Sequence, residues 1–400
     1  MDIKQRIRQL ASDYARDIVS NRQHLHQHPE LSFQEVNTSR FVYDKLKEYG
    51  LDPQRGIAGT GIVVLIEGRD PAKNVLALRA DMDALPITEQ NDVPYRSVNQ
   101  GVMHACGHDV HTASLLGTAR ILNHLREEFE GTVKLIFQPG EEKAPGGASK
   151  MIEEGVLQDP APGAILGQHV MPQIPVGKVG FKPGIYMASA DEIYITIKGR
   201  GGHAAMPDTL VDPVLIASYV IVALQQIVSR NANPKIPSVL SFGKIIANGA
   251  TNVIPDEVNI EGTFRTLDET WRMAAHEKMK KIGESVARGM GASIDFNVLK
   301  GYPFLHNDER LTHRCRDFAV DYLGKDRVVD LDIWMAAEDF AFYSQHIDAC
   351  FYRLGVGNPE KGITSSVHTP TFNVDEDSLE TGAGLMAYLT CSYLQEMKKK

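Results

Sequence analysis

Two hydrophobic patterns follow one another along this chain, and their order constrains the fold more than any other feature. In the first third, apolar runs typical of buried strands alternate with amphipathic helical segments. The strand-like runs cover residues 61–66, 74–80, 132–138 and 164–170. The helical segments cover residues 3–28, 35–49, 110–129 and 148–154. Strands that alternate with helices predict βαβ units and a mostly parallel sheet.

The pattern changes at residues 192–198, where apolar and polar residues alternate as in a half-exposed strand. The segments that follow predict a β-α-β-β-α-β order, which is typical of a ferredoxin-like unit. The earlier α/β pattern resumes near Tyr302 and ends with a helix at residues 378–397. We therefore predict an α/β domain, a mostly parallel sheet flanked by helices, from residues 1–186 and 300–400. A ferredoxin-like α+β domain, residues 187–299, is inserted into it.

Charge and composition exclude several classes of partner. The formal net charge of −9 argues against binding to nucleic acid or to an anionic membrane, because both need a basic surface. Charged residues interrupt the N-terminus at once, and no run of 18 apolar residues is present, so no membrane span is expected. The four cysteines are scattered without paired spacing, which favours a reducing cytoplasm over a disulfide framework.

Four segments place side chains that can bind a metal ion beside apolar strands of the larger domain. In open α/β sheets, sites form at the carboxyl ends of strands, so these segments are expected to converge in one cleft. The side chains are Cys106 and His108, Glu141 and Glu142, His169, and His368.

Cys106 and His108 stand two residues apart, directly before a helix. In an extended chain this spacing directs both side chains to the same side, and the amides at a helix N-terminus favour a thiolate. Thiolate, imidazole and carboxylate together suit zinc, cobalt, nickel or manganese rather than calcium or magnesium.

Adjacent carboxylates follow two of the strands. In the pair Glu141-Glu142, one member can bind metal while the other acts as a base. Asp81 and Asp83 end another strand, where a carboxylate can bind metal or orient a ligating imidazole. The cluster of His24, His26 and His28 is expected to lie on the surface or to cap a helix.

The inserted domain carries three candidate polar residues. His203 follows glycines that allow close approach to a ligand, and its ring can donate a hydrogen bond to a developing oxyanion. Asn252 lies in a polar stretch of the same domain and is a candidate for substrate binding. Arg265 can pair with a substrate carboxylate or form a structural ion pair.

Ordered motifs extend over nearly the whole chain. They are HPEL from His28, RADMDALP from Arg79, MHACGHD from Met103, QPGEE from Gln138, GQHV from Gly167, GRGGHAAMP from Gly199, TNVIP from Thr251, GTFR from Gly262 and the late His368. Together they resemble the amidohydrolase branch of the metallopeptidases that includes aminoacylase, carboxypeptidase G, hippurate hydrolase and the plant hydrolases of indole-acetyl amino acids.

The resemblance implies a cytoplasmic, metal-dependent hydrolase that cleaves the amide bond of small N-acyl amino acids or short peptides. Two divalent ions per chain, zinc, manganese, cobalt or nickel, would activate the attacking water, with Glu141 as general base. Their implied ligands are Cys106, His108, Glu142, His169 and His368.

The inserted domain is then expected to be a lid that joins two subunits in a homodimer, with His203 reaching the partner's active site. The wider family has a His-x-Asp pair, whose His binds metal, where this chain has Asp81-Met82-Asp83, and Cys106 takes over as ligand. We assign Asp83 to catalysis together with Glu141 and His203.

Alternative functions remain open to test. A dipeptidase or carboxypeptidase of the same family would use the same metal centre. A cysteine hydrolase would use Cys106 as nucleophile, although at this spacing His108 diverges from the geometry of a base. A catalytically silent metal-binding or ligand-binding relative would have no need of Glu141.

Overall fold

The computed structural model describes residues 2–396, which form two compact units. The larger unit contains the described residues up to Tyr186, His306–Ile333, and the described residues from Asp339 onward. The smaller unit contains Met187–Leu305 and Trp334–Glu338, and the predicted inserted domain lies within it. Met397, the expected end of the last helix, lies outside the described residues.

Helices and strands alternate along most of the chain. The strands are β1 (Gln54–Ile57), β2 (Gly61–Glu67), β3 (Val75–Asp81), β4 (Thr132–Gln138), β5 (Ala164–Pro175), β6 (Val179–Phe181), β7 (Gly184–Met187), β8 (Asp191–Lys198), β9 (Gly202–His203), β10 (Ser238–Ile246), β11 (Val253–Ile254), β12 (Glu257–Thr266), β13 (Ser293–Lys300), β14 (Leu305–Asn307), β15 (Val328–Asp330) and β16 (Asp348–Gly357). The helices are α1 (Ile3–Gln27), α2 (Val36–Glu48), α3 (His108–His124), α4 (Gly147–Glu153), α5 (Pro213–Leu224), α6 (Glu269–Gly289), α7 (Glu309–Leu323), α8 (Ala341–Ser344) and α9 (Asp377–Glu396).

The larger unit is built on one sheet with the strand order β1-β2-β4-β3-β5-β16-β6-β15. Its central strands β4, β3, β5 and β16 run parallel, whereas β1 and β2 form antiparallel pairs at one edge. Helices α1, α3 and α9 pack against one another, and α3 packs against β3. The predicted α/β class, with a mostly parallel sheet flanked by helices, is confirmed.

The central strands β3 and β4 are mostly apolar and almost entirely buried, as expected where side chains on both faces of a sheet are covered. Their parallel register brings the ends of neighbouring strands together. Asp81, the last residue of β3, pairs with Gln138, the last residue of β4, and Arg79 pairs with Gly167 in β5. Polar residues that follow these strands therefore meet at one edge of the sheet.

The smaller unit has a four-stranded antiparallel sheet with the order β10-β12-β8-β13 among its described residues. This is the order of a ferredoxin-like fold. Strand β8 buries every second residue, as its alternating sequence predicts, and Ile193, Ile195 and Ile197 enter the core. Helices α5 and α6 pack on this sheet through residues such as Val220 and Met279.

Helix α5 has two apolar faces. Among the described residues, the helical segment Pro213–Asn231, which begins with α5, is long and apolar enough to cross a membrane by length and composition alone, and 33% of its most apolar stretch is buried. Val220 and Leu224 face the core, which accounts for part of this apolar character. On the other side Leu215, Tyr219 and Val222 are 50%, 57% and 71% exposed.

Candidate metal centre

Five side chains that the sequence nominates as ligands converge in the larger unit. Cys106 Sγ lies 3.2 Å from His368 Nε2 and 3.5 Å from His169 Nε2. Glu142 Oε1 lies 3.3 Å from His368 Nε2 and 3.9 Å from His108 Nε2. The five residues come from four segments that are far apart in sequence, so the fold brings together one compact set of sulfur, nitrogen and oxygen donors.

The donor atoms form overlapping groups. Cys106, His108 and His169 have donor atoms within 4.8 Å of one another, and so do Cys106, Glu142 and His368. Cys106 belongs to both groups, which gives the cluster two adjacent positions for a cation. A third group joins His108 to Glu141 and Glu142. This arrangement is compatible with a dinuclear centre.

The turn at Gly107 sets the directions of the Cys106 and His108 side chains. Gly107, between them, is the N-cap of α3 and adopts a left-handed conformation with φ 86°. A Cβ at this position would collide with the side chain of Val170, so only glycine allows the turn to approach β5 so closely. Cys106 and His108 thereby face the part of β5 that carries His169.

Hydrogen bonds fix which ring nitrogen of each histidine faces the centre. His169 Nδ1 lies 2.7 Å from the carbonyl oxygen of Val170 and donates to it, which leaves Nε2 directed at Cys106. His108 Nδ1 lies 3.2 Å from Asp83 Oδ1, and its Nε2 faces Glu142. Partners of this kind set the tautomer of metal-binding imidazoles.

The chemistry of the cluster fits a divalent cation. Among the described residues, His108 Nε2 and Glu142 Oε1 are buried without a hydrogen-bond partner, which is costly unless another group binds them. Burial, and then the nearby carboxylates of Glu142 and Glu141, raise the pKa of the Cys106 thiol well above its usual value. A thiolate here therefore requires a neighbouring positive charge, which a metal ion supplies.

Asp83 forms hydrogen bonds with two of the candidate metal ligands, His108 and Glu142. Its Oδ1 bonds His108, while Oδ2 accepts hydrogen bonds from the Ser32 hydroxyl at 2.6 Å and from the Glu142 backbone N–H at 2.9 Å. These contacts occupy both oxygens. The geometry therefore favours an orienting role for Asp83, one of the two alternatives that the sequence left open.

Asp81 has a similar supporting position. Its Oδ1 lies 2.6 Å from His111 Nδ1, and its Oδ2 lies 2.6 Å from Arg79 Nη1. His111 in turn accepts the Val170 backbone N–H at its Nε2, at 2.9 Å, and so helps to hold the strand that carries His169. The sequence analysis missed His111, although its spacing three residues after His108 places both rings on one side of α3.

Glu141 lies beside the cluster and is 6% exposed. The backbone N–H of Asp339 donates to its Oε1 at 3.3 Å. Its grouping with His108 and Glu142 leaves its carboxylate next to the donors. A carboxylate in this position can exchange a proton with a water molecule held by the cluster.

The prediction for His26 was wrong. His26 is fully buried, with Nδ1 at 2.8 Å from Asp109 Oδ2 and Nε2 at 3.0 Å from Glu89 Oε1. Arg22 shares Asp109 Oδ2 at 2.8 Å. The histidine therefore belongs to an ionic network under the N-terminus of α3, and its partners are 63 and 83 residues away.

The three candidate residues of the smaller unit lie on its strands and loops. His203 is exposed on β9, and its Nδ1 accepts the backbone N–H of Ala205 at 3.1 Å. The carbonyl of Asn252 accepts the backbone N–H of Ala204, so Asn252 and His203 are close. Arg265 on β12 bonds the Thr263 hydroxyl at 3.2 Å, and among the described residues no carboxylate forms an ion pair with it. This favours the substrate alternative for Arg265.

Comparison with known proteins adds independent findings. The profile described as Peptidase family M20/M25/M40 matches residues 77–391. An N-acetylcysteine deacetylase from Bacillus subtilis (strain 168) is 40% identical over 385 residues, 95% of this chain and 98% of that protein. An N-acyl-L-amino acid amidohydrolase from Geobacillus stearothermophilus is 43% identical over 307 residues, 76% of this chain and 82% of that protein. A crystal structure of a dinuclear metal-binding peptidase of the M20 family from Bacillus subtilis has a TM-score of 0.82 at 37% identity and covers 96% of this chain and 99% of that one.

Proposed function

Because the chain belongs to peptidase family M20/M25/M40, we propose that it is a metal-dependent amidohydrolase that cleaves the amide bond of small N-acyl amino acids. The observation that carries this proposal is the convergence of Cys106, His108, Glu142, His169 and His368 around one space, with Glu141 beside them. Relatives named for the hydrolysis of N-acyl amino acids support the substrate class.

The five convergent side chains would hold two divalent ions. Bound there, the ions would polarise the scissile carbonyl and lower the pKa of a water molecule. The mixed sulfur, nitrogen and oxygen donors favour zinc, manganese, cobalt or nickel. The dinuclear centre named for a structural neighbour supports the number of ions.

Glu141 is the general base in this proposal. Its carboxylate would accept a proton from the attacking water and pass that proton to the leaving amine. Glu142 is adjacent in sequence but differs in geometry, since its Oε1 approaches His368 and His108 directly. The two neighbours therefore have separate roles, Glu142 as a ligand and Glu141 as the proton carrier.

The test compares Glu141→Gln with Glu142→Gln. Glutamine keeps the shape of the side chain but cannot accept the proton, so Glu141→Gln should lose about 10²–10⁴-fold in kcat. It should retain both metal ions by elemental analysis, whereas Glu142→Gln should lose metal and recover part of its activity in excess metal. Metal loss confined to Glu141→Gln would reverse the two roles. Full activity and full metal content in both variants would refute the mechanism.

A homodimer joined through the smaller unit is part of the same proposal. The exposed apolar face of α5, formed by Leu215, Tyr219 and Val222, is a surface that a second copy of the chain would cover. His203 would then act in the partner's active site. Mixing inactive Glu141→Gln chains with inactive His203→Ala chains should restore activity, because some mixed dimers hold one intact site. No recovery despite subunit exchange would contradict a role in trans.

The cysteines support a cytoplasmic location. Cys106, Cys315, Cys350 and Cys391 are all buried free thiols, as expected in a reducing compartment. We propose the cytoplasm on this basis.

A further inference from the structure

Glu35 is a buried carboxylate to which the proposed mechanism assigns no role. Its side chain is fully buried, and both oxygens are hydrogen-bonded. Oε1 accepts two backbone N–H groups, those of Phe33 and Gly140, each at 2.8 Å, and Oε2 accepts the Thr60 hydroxyl at 2.7 Å. Burial raises the pKa of Glu35, although these hydrogen bonds oppose the shift. Burying a carboxylate that is bonded only by neutral donors costs free energy, so the Glu35 carboxylate is expected to have a structural or functional role.

Capping of its own helix does not explain the buried position of the Glu35 carboxylate. Glu35 is the N-cap residue of α2, yet its side chain makes no capping hydrogen bond. Glu30 caps the helix instead, and its Oε2 accepts the backbone N–H groups of Asn37 and Thr38 at 2.9 Å each. The capping function therefore comes from five residues upstream, and the Glu35 carboxylate is directed to a segment 105 residues away.

That segment is the turn before the proposed base. Gly140 has φ 60°, and its peptide is held on both sides, by Glu35 at the N–H and by the Gly147 N–H at the carbonyl. The backbone N–H of Glu142 is bonded to Asp83. The amides immediately before and after Glu141 are thus each bound by a buried carboxylate.

We propose that Glu35 is a positioning residue that sets the location of the Glu141 carboxylate by holding the Gly140 amide. The inference rests on the proposed function, in which Glu141 carries the proton. Because Phe33 shares Oε1 with Gly140, the same carboxylate ties the start of α2 to the turn after β4. Glu35 touches neither metal ligands nor substrate in this role, and it acts only through the backbone of the turn.

The replacement Glu35→Met tests this directly. Methionine has a similar length but no hydrogen-bond acceptor of comparable strength, so the Gly140 amide loses its partner. A displacement of about 1 Å in a catalytic group can cost about 10²-fold in rate, and we expect kcat to fall about 10–100-fold. KM and metal content should stay close to the wild-type values, since the ligands and the substrate contacts are unchanged.

Two variants separate positioning from general stability. Glu35→Gln keeps an acceptor for both amides and can donate to Thr60, so it should retain kcat within a few-fold of wild type. Glu30→Met is the matched control, because Glu30 also binds two backbone amides of this region but does not contact the turn. It should lower the unfolding midpoint and leave kcat of the folded protein unchanged.

A second readout is independent of turnover. Amide hydrogen exchange of the peptide that contains Gly140 should accelerate in Glu35→Met and remain at the wild-type rate in Glu30→Met. Wild-type protein that turns over no N-acyl amino acid would refute the proposed function, whereas the exchange measurement would still decide whether Glu35 holds the turn. Unchanged exchange, or accelerated exchange with wild-type kcat, would overturn the positioning role. If Glu35→Met does not fold, Thr60→Val loosens the same carboxylate, and a kcat equal to wild type there would overturn it.

Discussion

Replacing Gly140 with alanine should damage both the stability and the activity of this protein. Gly140 adopts φ 60°, a left-handed conformation that residues with a Cβ avoid. An added Cβ would also lie 2.5 Å from Cε1 and 2.8 Å from Cε2 of the Phe33 ring. The ring cannot easily move, because Phe33 is itself left-handed at φ 64°, its N–H is bound by Glu35, and Lys150 Nζ lies 4.0 Å from the ring centre.

The two effects have different sizes. A left-handed conformation costs a residue with a Cβ about 1–2 kcal/mol. Forcing an extra methyl group into a packed contact costs about 1–3 kcal/mol. We therefore expect Gly140→Ala to lose about 2–5 kcal/mol in the free energy of unfolding, a large part of the 5–15 kcal/mol typical of folded proteins. Any part that the turn absorbs by moving should appear as a lower kcat, because Glu141 moves with it.

Urea unfolding and steady-state kinetics on the same preparations provide the assay. Gly50→Ala is the matched control, since Gly50 has φ 79° and a Cβ there would meet nothing within 4 Å. It should show the backbone cost alone and no change in kcat. Adding Phe33→Ala to Gly140→Ala should recover the steric part of the loss. Equal losses in Gly140→Ala and Gly50→Ala, with wild-type kcat in both, would refute the reasoning.

Two further predictions concern the metal centre and the smaller unit. Cys106→Ser should lower the metal content in elemental analysis, because a neutral hydroxyl replaces a soft anion. The control Cys315→Ser should retain metal and activity. Equal effects of the two replacements would contradict the assignment of Cys106 as a metal ligand. Burial tends to raise the pKa of Asp191, but hydrogen bonds from Arg272 and His276 outweigh it and lower the pKa below its ordinary value. Stability from Asp191 is therefore present above the ordinary carboxyl pKa of about 3.9 and is lost as pH falls through the lower folded value. Asp191→Asn should cost about 3–5 kcal/mol at pH 7 and flatten the acid limb of the stability curve, and an unchanged limb in urea titrations would count against this.

The convergence of the nominated donors can be expected from the sequence where a donor stands near a strand end or at the start of α3, as Glu142 and Cys106 do, whereas His169 lies within β5 and His368 lies well after β16. The parallel register of β3, β4 and β5 brings Glu142 and His169 to the same region, and that register follows from the alternation of strands and helices, whereas Cys106 also needs the turn at Gly107. The division into α/β and ferredoxin-like patterns is equally visible, because periodicity is a local property.

Supporting residues could not be found in this way. Glu35 was expected only as the first residue of a helix, since nothing near it in sequence reveals a bond to Gly140, 105 residues away. His26 was expected on the surface or at a helix cap because the sequence shows only its spacing from His24 and His28, whereas its partner Asp109 is 83 residues away. Such contacts depend on how α1, α2 and α3 are placed in three dimensions. His111 alone carried a local signal, its helical spacing from His108.

The division between donors and supports also explains how the centre can hold so many acidic groups. Asp81 is bonded by Arg79 and His111, and both oxygens of Asp83 are occupied by hydrogen-bond donors. Through these contacts the two carboxylates orient His108 and His111 and hold the backbone of Glu142. Cys106 and Glu142, by contrast, direct an unprotonated sulfur or oxygen at the space between the histidines once a cation balances their charge. Replacing a residue that only supports the centre, as in Glu35→Met, should therefore change the geometry of the centre while its metal ligands remain. Replacing a ligand, as in Cys106→Ser, should instead remove a metal donor.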